Sequence, residues 1–256
     1  MTDRRFTQDE VARYGRHITL REIGGPGQKA LLRARVLIVG AGGLGSPVLQ
    51  YLGAAGVGQI TVVDDDLVEA TNLQRQVIHT AASVGTPKVA SAQAAINAQN
   101  PHIHVTTVQA QFSAQNAAEL VAQHDLAIDC CDDTATRNAL NAACVAAGIP
   151  MVSAALTTWE GQVSLYDPAR GGPCLTCVFP HAPPVIEDCS VVGVFGPLPG
   201  IIGTMMAAET VKALTGAGEG LRGRLMIYDA LYADMRIIRT KADPACPTCH
   251  GMGAVK

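Results

Sequence analysis

A short apolar run that leads directly into closely spaced glycines limits what this chain can fold into. Residues 36–39 read Val-Leu-Ile-Val and are followed by Gly40-Ala-Gly42-Gly-Leu-Gly45. Such a run is typical of a strand buried on both faces of a parallel sheet. The glycines let the backbone turn tightly and approach a ligand, and Ser46-Pro47 suits a helix start. Because a helix N-terminus attracts anions, the segment predicts a nucleotide site, with a tight turn that binds no ligand as the alternative.

The elements predicted after this segment indicate an α/β fold with a mostly parallel, Rossmann-like sheet. A second strand, residues 59–63, ends in three aspartates, and Asp64 has the position of the ribose-binding acid of dinucleotide folds. A solvated strand end is the alternative role for these aspartates. Further strands are predicted at 105–108, 126–131 and 149–155. Predicted helices separate them, among them one from 137 to 147, as in βαβ units.

The second half of the chain predicts a different kind of sheet. Residues 159–166 and 224–239 alternate in polarity, which predicts antiparallel strands, and a helix is expected from about 200 to 214. We expect one domain over residues 1–256, because no flexible linker is present. Its expected parts are a helical arm (1–33), a nucleotide-binding half (34–155) and an antiparallel half with a crossover loop and a zinc site (156–256).

Composition and charge disfavour several classes of protein. The formal net charge of −3 gives no basic footprint for nucleic acid. Prolines and glycines interrupt the longest uncharged stretch, residues 190–208, which excludes a membrane span there, and no signal-peptide pattern is present. We therefore expect a cytoplasmic protein that binds neither nucleic acid nor a membrane. In such a protein eight cysteines indicate metal binding or catalysis before disulfides.

Four of the cysteines form two Cys-x-x-Cys pairs, the spacing of a structural zinc site. Cys174 pairs with Cys177, and Cys246 pairs with Cys249. Four thiolates match a closed tetrahedral zinc site, with disulfides as the alternative. We expect the site to fasten the C-terminal tail to the domain. Other expectations are core thiols at Cys130, Cys131 and Cys144, packing or surface roles for the histidines, and a core position for Trp159.

Charged residues beyond the second strand indicate a triphosphate rather than a dinucleotide. Arg75 and Lys88 supply more positive charge than NAD needs and about what ATP needs. Asp132 follows a later parallel strand, where a carboxylate beside a triphosphate most simply holds Mg²⁺. Each residue alone would be interpreted as an exposed charge in a salt bridge, but the three together indicate a functional site.

The chain resembles the ThiF/MoeB/HesA family, bacterial relatives of the ubiquitin-activating enzymes, and is most similar to its molybdopterin-synthase adenylyltransferase branch. The resemblance spans residues 13–249. It is carried by Arg13-Tyr14-x-Arg16-x-Ile18, Gly40-x-Gly42-Gly43-Leu44-Gly45, Asp64-x-Asp66, Asn72-Leu73-Gln74-Arg75-Gln76, Gly85-x-Pro87-Lys88, Asp129-Cys130-x-Asp132, Arg137-Asn138 and the two cysteine pairs.

The resemblance implies an enzyme that uses MgATP to adenylate the C-terminal Gly-Gly carboxylate of a small ubiquitin-like sulfur-carrier protein, releasing pyrophosphate. It implies a homodimer, because Arg16 in the family reaches the partner subunit's ATP, and it implies zinc at the cysteine pairs. Catalysis would rest on Arg16, Arg75, Lys88 and Asp132, with Cys189 as a further candidate. The implied nucleotide and Mg²⁺ ligands are Gly40, Gly42, Gly43, Asp64, Asp66, Thr71, Asn72, Leu73, Gln74, Arg75, Lys88, Asp132 and Asp133.

Three further expectations concern Asp133, Cys189 and the source of sulfur. The family commonly has asparagine where this chain has Asp133, and the extra charge is expected either to weaken ATP binding or to recruit a second ion. Cys189 lies in the crossover loop, where some relatives bond a cysteine to the activated carrier; a loop cysteine without a role is the alternative. No rhodanese-like extension follows residue 249, so we expect a separate sulfur donor.

Three other functions stay open at this point. The acceptor is alternatively a peptide C-terminus or a tRNA-modification substrate, although the net charge disfavours tRNA. A catalytically inactive scaffold is disfavoured by the retained Arg16, Arg75, Lys88 and Asp132. An NAD-dependent oxidoreductase is disfavoured by the cations and by the lack of a proton-transfer constellation. The candidate products are molybdopterin, thiamine, cysteine or another thiolated compound.

Overall fold

The computed structural model describes residues 5–180, 193–250 and 252, and an eight-stranded sheet lies at its centre. The strands are β1 (Arg35–Val39), β2 (Gln59–Val63), β3 (His104–Val108), β4 (Leu126–Asp129), β5 (Met151–Leu156), β6 (Glu160–Tyr166), β7 (Arg224–Asp229) and β8 (Asp234–Arg239). Their order is β3-β2-β1-β4-β5-β6-β7-β8. The first five pair in parallel, and β6, β7 and β8 continue the sheet in antiparallel pairing. The predicted fold class is therefore confirmed.

Helices cover both faces of this sheet. They are α1 (Gln8–Ile18), α2 (Gly24–Arg33), α3 (Gly45–Ala55), α4 (Lys88–Gln99), α5 (Ala117–Val121), α6 (Thr134–Ala147), α7 (Leu175–Val178) and α8 (Pro197–Thr215). In β1, Val36 and Ile38 pack on the side of α3, α4 and α8, while Leu37 and Val39 pack on the side of α5 and α6. This alternation explains the uninterrupted apolar run, since each face of β1 is buried. None of the described helices is both long and apolar enough to cross a membrane.

Two element boundaries on either side of the β4–α6 turn differ from the sequence predictions. The strand ends at Asp129, two residues early, because the main-chain N–H of Cys131 turns back to the Asp129 carboxylate at 3.2 Å. The helix begins at Thr134 rather than near residue 137. The reason is an N-cap, because Asp133 Oδ1 accepts a hydrogen bond from the main-chain N–H of Thr136 at 2.7 Å.

The expected core position of Trp159 is wrong. This residue is 37% exposed, at the turn between β5 and β6. Its ring stacks on Phe195 with the ring centroids 4.5 Å apart, so that Phe195 covers one face of the ring. Sequence pattern could not anticipate this, because Phe195 comes from a distant part of the chain.

The N-terminal arm packs at the end of the helical layer opposite to the carboxyl ends of the strands. Tyr14 of α1 is buried and accepts a hydrogen bond from Asn100 Nδ2 at 2.9 Å. The same amide donates to the carbonyl of Gly53, near the end of α3, at 2.7 Å. Gln28 of α2 donates to the carbonyl of Ala55 at 2.8 Å. These contacts fix the arm to the C-terminal ends of α3 and α4.

Candidate active site

A cleft of about 210 Å³ opens at the carboxyl ends of the parallel strands. Strand β1 has β2 on one side and β4 on the other, so the cleft lies where the strand order reverses, the usual ligand position in open α/β sheets. The predicted site residues that line it are Gly40, Gly42, Gly43, Asp64, Asp66, Arg75, Lys88, Asp132 and Asp133.

The glycine segment forms a loop that requires glycine at two positions. Gly40 has φ of +99°, and a Cβ there would lie 2.6 Å from the carbonyl oxygen of Cys130. A Cβ at Gly45 would lie 2.2 Å from the carbonyl oxygen of Gly40. Helix α3 begins at Gly45, two residues before Pro47, so its first N–H groups lie beside the cleft lining.

Asp64, at the end of β2, fastens this loop. Its Oδ2 accepts a hydrogen bond from the main-chain N–H of Ala41 at 2.7 Å, and its Oδ1 accepts one from that of Asp66 at 2.9 Å. Burial raises the pKa of the Asp64 carboxyl, while the Ala41 amide and the charge of Lys88 oppose that rise. The carboxylate therefore shapes the glycine loop besides facing the cleft.

Neighbouring side chains hold the two cations that were predicted to bind phosphate. Lys88 is buried, and its Nζ lies 2.7 Å from Oδ2 of the exposed Asp66. Arg75 Nη2 donates to Asn72 Oδ1 at 2.8 Å. Both cations thus reach the cleft in fixed positions, and Asp66 and Asn72 position them.

Part of the predicted site lies outside the cleft lining. Thr71 and Asn72 donate to the carboxylate of Glu69, both at 3.3 Å. Leu73 and Gln74 continue this segment towards Arg75 and do not line the cleft either.

One predicted catalytic residue, Arg16, does not lie in the cleft of its own chain, and another, Cys189, has no described position. Arg16 is exposed on α1, in the arm that packs at the far end of α3. Cys189 lies outside the described residues.

The two acidic residues after β4 differ in their contacts. Asp133 caps α6, a role that asparagine fills equally well, and its predicted part in nucleotide or ion binding stays a prediction. Asp132 is exposed in the cleft, and its carboxylate makes no hydrogen bond or ion pair with any described residue. No described residue therefore competes with a ligand for this carboxylate.

The charge of the cleft differs from the sequence expectation. Five aspartates and three cations belong to its described lining, so the formal charge there is negative. The cations are recognisable from their sequence positions beyond β2, whereas only the fold gathers the aspartates around them. A polyphosphate in this cleft would need further positive charge.

The four paired cysteines come together beside α6 and α7. The Sγ atoms of Cys174 and Cys177 are 3.7 Å apart, those of Cys174 and Cys246 3.6 Å, and those of Cys177 and Cys249 3.5 Å. Tetrahedral zinc with Zn–S bonds of about 2.3 Å requires sulfur separations of about 3.8 Å. A disulfide requires about 2.05 Å, so all four residues are free thiols arranged to hold a metal ion.

Two polar side chains in the cleft wall have no role predicted from the sequence. Gln76 is buried, and its Oε1 has no hydrogen-bond partner among the described residues. Arg137 is buried beside Asp129, with Nε 2.7 Å from Oδ2. Both residues belong to motifs that carry the family resemblance, and that resemblance was the sequence signal that could have indicated a role for them. Residues 110–112 also line the cleft, and no sequence pattern indicated this.

His79 packs beneath the glycine loop, which fits the packing role expected for the histidines. Its Nε2 lies 2.9 Å from the carbonyl oxygen of Ala41, and its Nδ1 lies 2.9 Å from Ser91 Oγ. Because a carbonyl only accepts, Nε2 carries the proton and Nδ1 accepts from the serine. Burial lowers the pKa of His79, with Lys88 as a smaller cause in the same direction.

Comparison with known proteins agrees with these features. The family model described as the ThiF family matches residues 14–248. The SAMP-activating enzyme E1 of Haloferax volcanii is 46% identical over 248 residues, which are 96% of this chain and 91% of the relative. The sulfur carrier protein adenylyltransferase of Thermus thermophilus is 43% identical over 251 residues, 96% and 93% of the two chains. The molybdopterin-synthase adenylyltransferase of Escherichia coli is 43% identical over 244 residues, 95% and 98% of the two chains.

A solved structure supports the fold alone. Escherichia coli MccB in complex with MccA-N7isoASN aligns with a TM-score of 0.79 at 24% identity, over 87% of this chain and 69% of that chain. Its identity is too low to carry more than the architecture. Because the family model covers nearly the whole sequence and three relatives exceed 40% identity over almost their full length, the chain belongs to the ThiF family.

Proposed function

We propose that this chain is an adenylyltransferase that uses MgATP to adenylate the C-terminal Gly-Gly carboxylate of a small ubiquitin-like sulfur-carrier protein. The names of the Thermus and Escherichia coli relatives support this reaction class and this kind of acceptor. The observation that carries the proposal is the cleft itself. It brings a glycine loop, two anchored cations and the exposed carboxylate of Asp132 to the carboxyl ends of parallel strands.

The glycine loop fits a nucleotide polyphosphate. A Cβ at Gly42 would point into open space except for the amide of Gln76, 3.4 Å away, so the bare backbone leaves room beside α3. Phosphate oxygens at this place would accept from main-chain N–H groups at the helix start. Lys88 and Arg75 would neutralise the phosphates, and Asp64 would accept from the ribose hydroxyls.

The reaction needs little proton transfer. A carboxylate oxygen of the acceptor bonds to the α-phosphorus, the bond from that phosphorus to the bridging oxygen breaks, and pyrophosphate leaves with the electron pair. The acceptor is already ionised at pH 7, so no side-chain base is required. The residues of the cleft therefore act by neutralising charge and by holding the groups in line.

The negative formal charge of the cleft explains why further cations are needed. Mg²⁺ would offset the charge of the triphosphate. Asp132, whose carboxylate has no partner among the described residues, is the side chain that would hold it. Asp133 is less suited to this role, because its Oδ1 already caps α6. The fit rests on the donor chemistry of Asp132, which accepts from no described residue.

Arg16 of a second subunit would supply another positive charge. Within one chain Arg16 and the cleft lie at opposite ends of α3, whose 11 residues extend over about 16 Å at about 1.5 Å per residue. An arginine side chain is too short to span that separation. A homodimer in which each arm serves the cleft of the other subunit would resolve the difference, and this supports the proposed dimer.

The cysteine cluster would hold a structural zinc ion. Its sulfur separations fit tetrahedral coordination, and all four positions are taken by protein, which leaves none for catalysis. Because Cys246 and Cys249 come from the C-terminal segment, the ion would join that segment to α7.

Four further expectations belong to the same proposal. The continuous sheet supports one domain over residues 1–256, with the arm, nucleotide-binding half and antiparallel half as its parts. Consumption of ATP supports a cytoplasmic location. A separate sulfur donor would convert the adenylated carrier to the thiocarboxylate, and a covalent role for Cys189 stays a prediction.

The decisive experiment is pyrophosphate–ATP isotope exchange with Mg²⁺ and purified Gly-Gly carrier proteins, added one at a time. We expect exchange with a cognate carrier and a loss of at least about 100-fold in Asp132→Ala. Asp125→Ala is the matched control, since it removes a carboxylate that pairs with Arg35 at the opposite ends of the strands. A folded protein that binds ATP but exchanges with none of the carriers would contradict the proposal.

A further inference from the structure

The last residue of β4 carries a buried carboxylate that takes no direct part in the proposed chemistry. Asp129 is fully buried, and its Oδ2 accepts hydrogen bonds from Arg137 Nε at 2.7 Å and Ser153 Oγ at 2.6 Å. Its Oδ1 accepts from the main-chain N–H of Cys131 at 3.2 Å and from the Cys131 thiol at 2.7 Å. A buried charge that is fully satisfied in this way favours one arrangement of its partners.

Arg137 extends these contacts to neighbouring elements. It lies on α6, and its Nη2 donates to the carbonyl of Cys131 at 2.9 Å and to the carbonyl of Ala154 in β5 at 3.1 Å. Ser153 also belongs to β5. The end of β4, the middle of β5 and the first turns of α6 are thus joined through one guanidinium and one carboxylate.

The residues on both sides of Asp132 in the chain are held by hydrogen bonds. The N–H, carbonyl and thiol of Cys131 all contact Asp129 or Arg137, and Asp133 caps α6. Asp132 therefore lies between two held residues, while its own carboxylate has no partner in the described parts of the chain.

We propose that Asp129, Arg137 and Ser153 form a positioning network that holds residues 130–133 so that the Asp132 carboxylate faces the cleft. The role of Asp132 towards MgATP rests on the proposed function, whereas the geometry of the network does not. Arg137 acts on the loop through its Nε and Nη2, which are both engaged with protein atoms.

Two conservative variants test the network, each with a matched control. Ser153→Ala removes one donor to Asp129, and Ser164→Ala removes a similarly buried hydroxyl that donates to a main-chain carbonyl away from the cleft. Arg137→Lys keeps the charge but loses the planar fork. Arg222→Lys makes the same change at another buried carboxylate, Asp167, which Arg222 Nη2 contacts at 2.7 Å.

The first readout needs no nucleotide. It is the rate at which iodoacetamide labels the half-buried Cys131, followed by peptide mass spectrometry. We expect labelling about tenfold faster than in the unaltered protein for Ser153→Ala and Arg137→Lys, and an unchanged rate for both controls. Equal rates in the test variants and the unaltered protein would overturn the network.

The second readout is the gain in ATP affinity on adding Mg²⁺, measured by calorimetry with Mg²⁺ and with EDTA. We expect this gain to fall about tenfold in Ser153→Ala and Arg137→Lys, with little change in the affinity in EDTA. Faster labelling of Cys131 together with an undiminished gain would overturn the link to Asp132. A gain retained in Asp132→Asn would instead refute the role given to Asp132 in the proposed function, and labelling would still decide whether the network holds the loop.

Discussion

Gly45 and Gly40 approach each other so closely that a Cβ on Gly45 would lie 2.2 Å from the carbonyl oxygen of Gly40. No real Cβ tolerates that distance to a backbone atom, so this glycine is required by the fold of the loop. Gly42 differs, because the nearest atom to a Cβ there is the terminal amide nitrogen of Gln76, at 3.4 Å. Gly45 is therefore required for the loop to fold, whereas Gly42 leaves space beside the loop for a ligand.

Alanine substitutions at these two positions should have different effects, one on stability and the other on ATP binding. Gly45→Ala should lower the free energy of unfolding by about 1–3 kcal/mol through overpacking. Gly42→Ala should leave it within about 0.5 kcal/mol, yet weaken ATP binding roughly tenfold, because the methyl group would occupy the path of the phosphates. Urea denaturation and calorimetry measure the two quantities. Full ATP affinity in Gly42→Ala would show that the nucleotide does not approach the loop there.

Removal of one cluster cysteine should release zinc and destabilise the chain. We expect about one zinc per chain by elemental analysis, loss of most of it in Cys246→Ser, and a fall of about 3 kcal/mol or more in the free energy of unfolding. Cys144→Ser is the control, since it alters a buried thiol outside the cluster. A metal-free protein with full stability would contradict the zinc assignment.

Complementation between inactive variants should reveal the proposed exchange of Arg16 between subunits. Arg16→Ala and Asp132→Ala should each be inactive as homodimers. In a mixed dimer one cleft has its own Asp132 and the other subunit's Arg16, so co-expression should restore about a quarter of the exchange activity after random pairing. Mixed dimers isolated with two affinity tags that remain inactive would count against a shared site.

Acid should destabilise the protein through His79. Its pKa in the folded chain is lowered by burial, whereas an unfolded histidine titrates near about 6.5. Between those two values the unfolded state binds more protons, so the free energy of unfolding falls as the pH drops below about 6.5 and levels off once the folded pKa is passed. Denaturation at several pH values should show a shallower decline in His79→Gln.

A second histidine, His124, should contribute to the loss of stability at low pH in the same way. Burial lowers its pKa as well, so the double variant with His124→Gln should be flatter still. A decline that is identical in the unaltered protein and the double variant would exclude both histidines as its cause.

Local patterns in the sequence determined much of the fold. The apolar run of β1, the glycines and the start of α3 are contiguous, and the alternation of strands and helices follows from periodicity that is visible over short windows. The spacing of Cys174 and Cys177, and of Cys246 and Cys249, predicted a cluster that the structure brings within bonding range of one ion. Within each of these segments, and within each cysteine pair, the informative residues lie within a few positions of one another.

Tertiary structure alone decided the electrostatics of the cleft and the routes of the long-range contacts. Asp64 fastens Ala41 from 23 residues away, and the fold gathers five aspartates around three cations. Arg16 is placed at the far end of α3, and Asp129 meets Ser153 through β4–β5 pairing. Such relationships depend on register, helix length and strand order, which bring distant residues together and which no short stretch of sequence encodes.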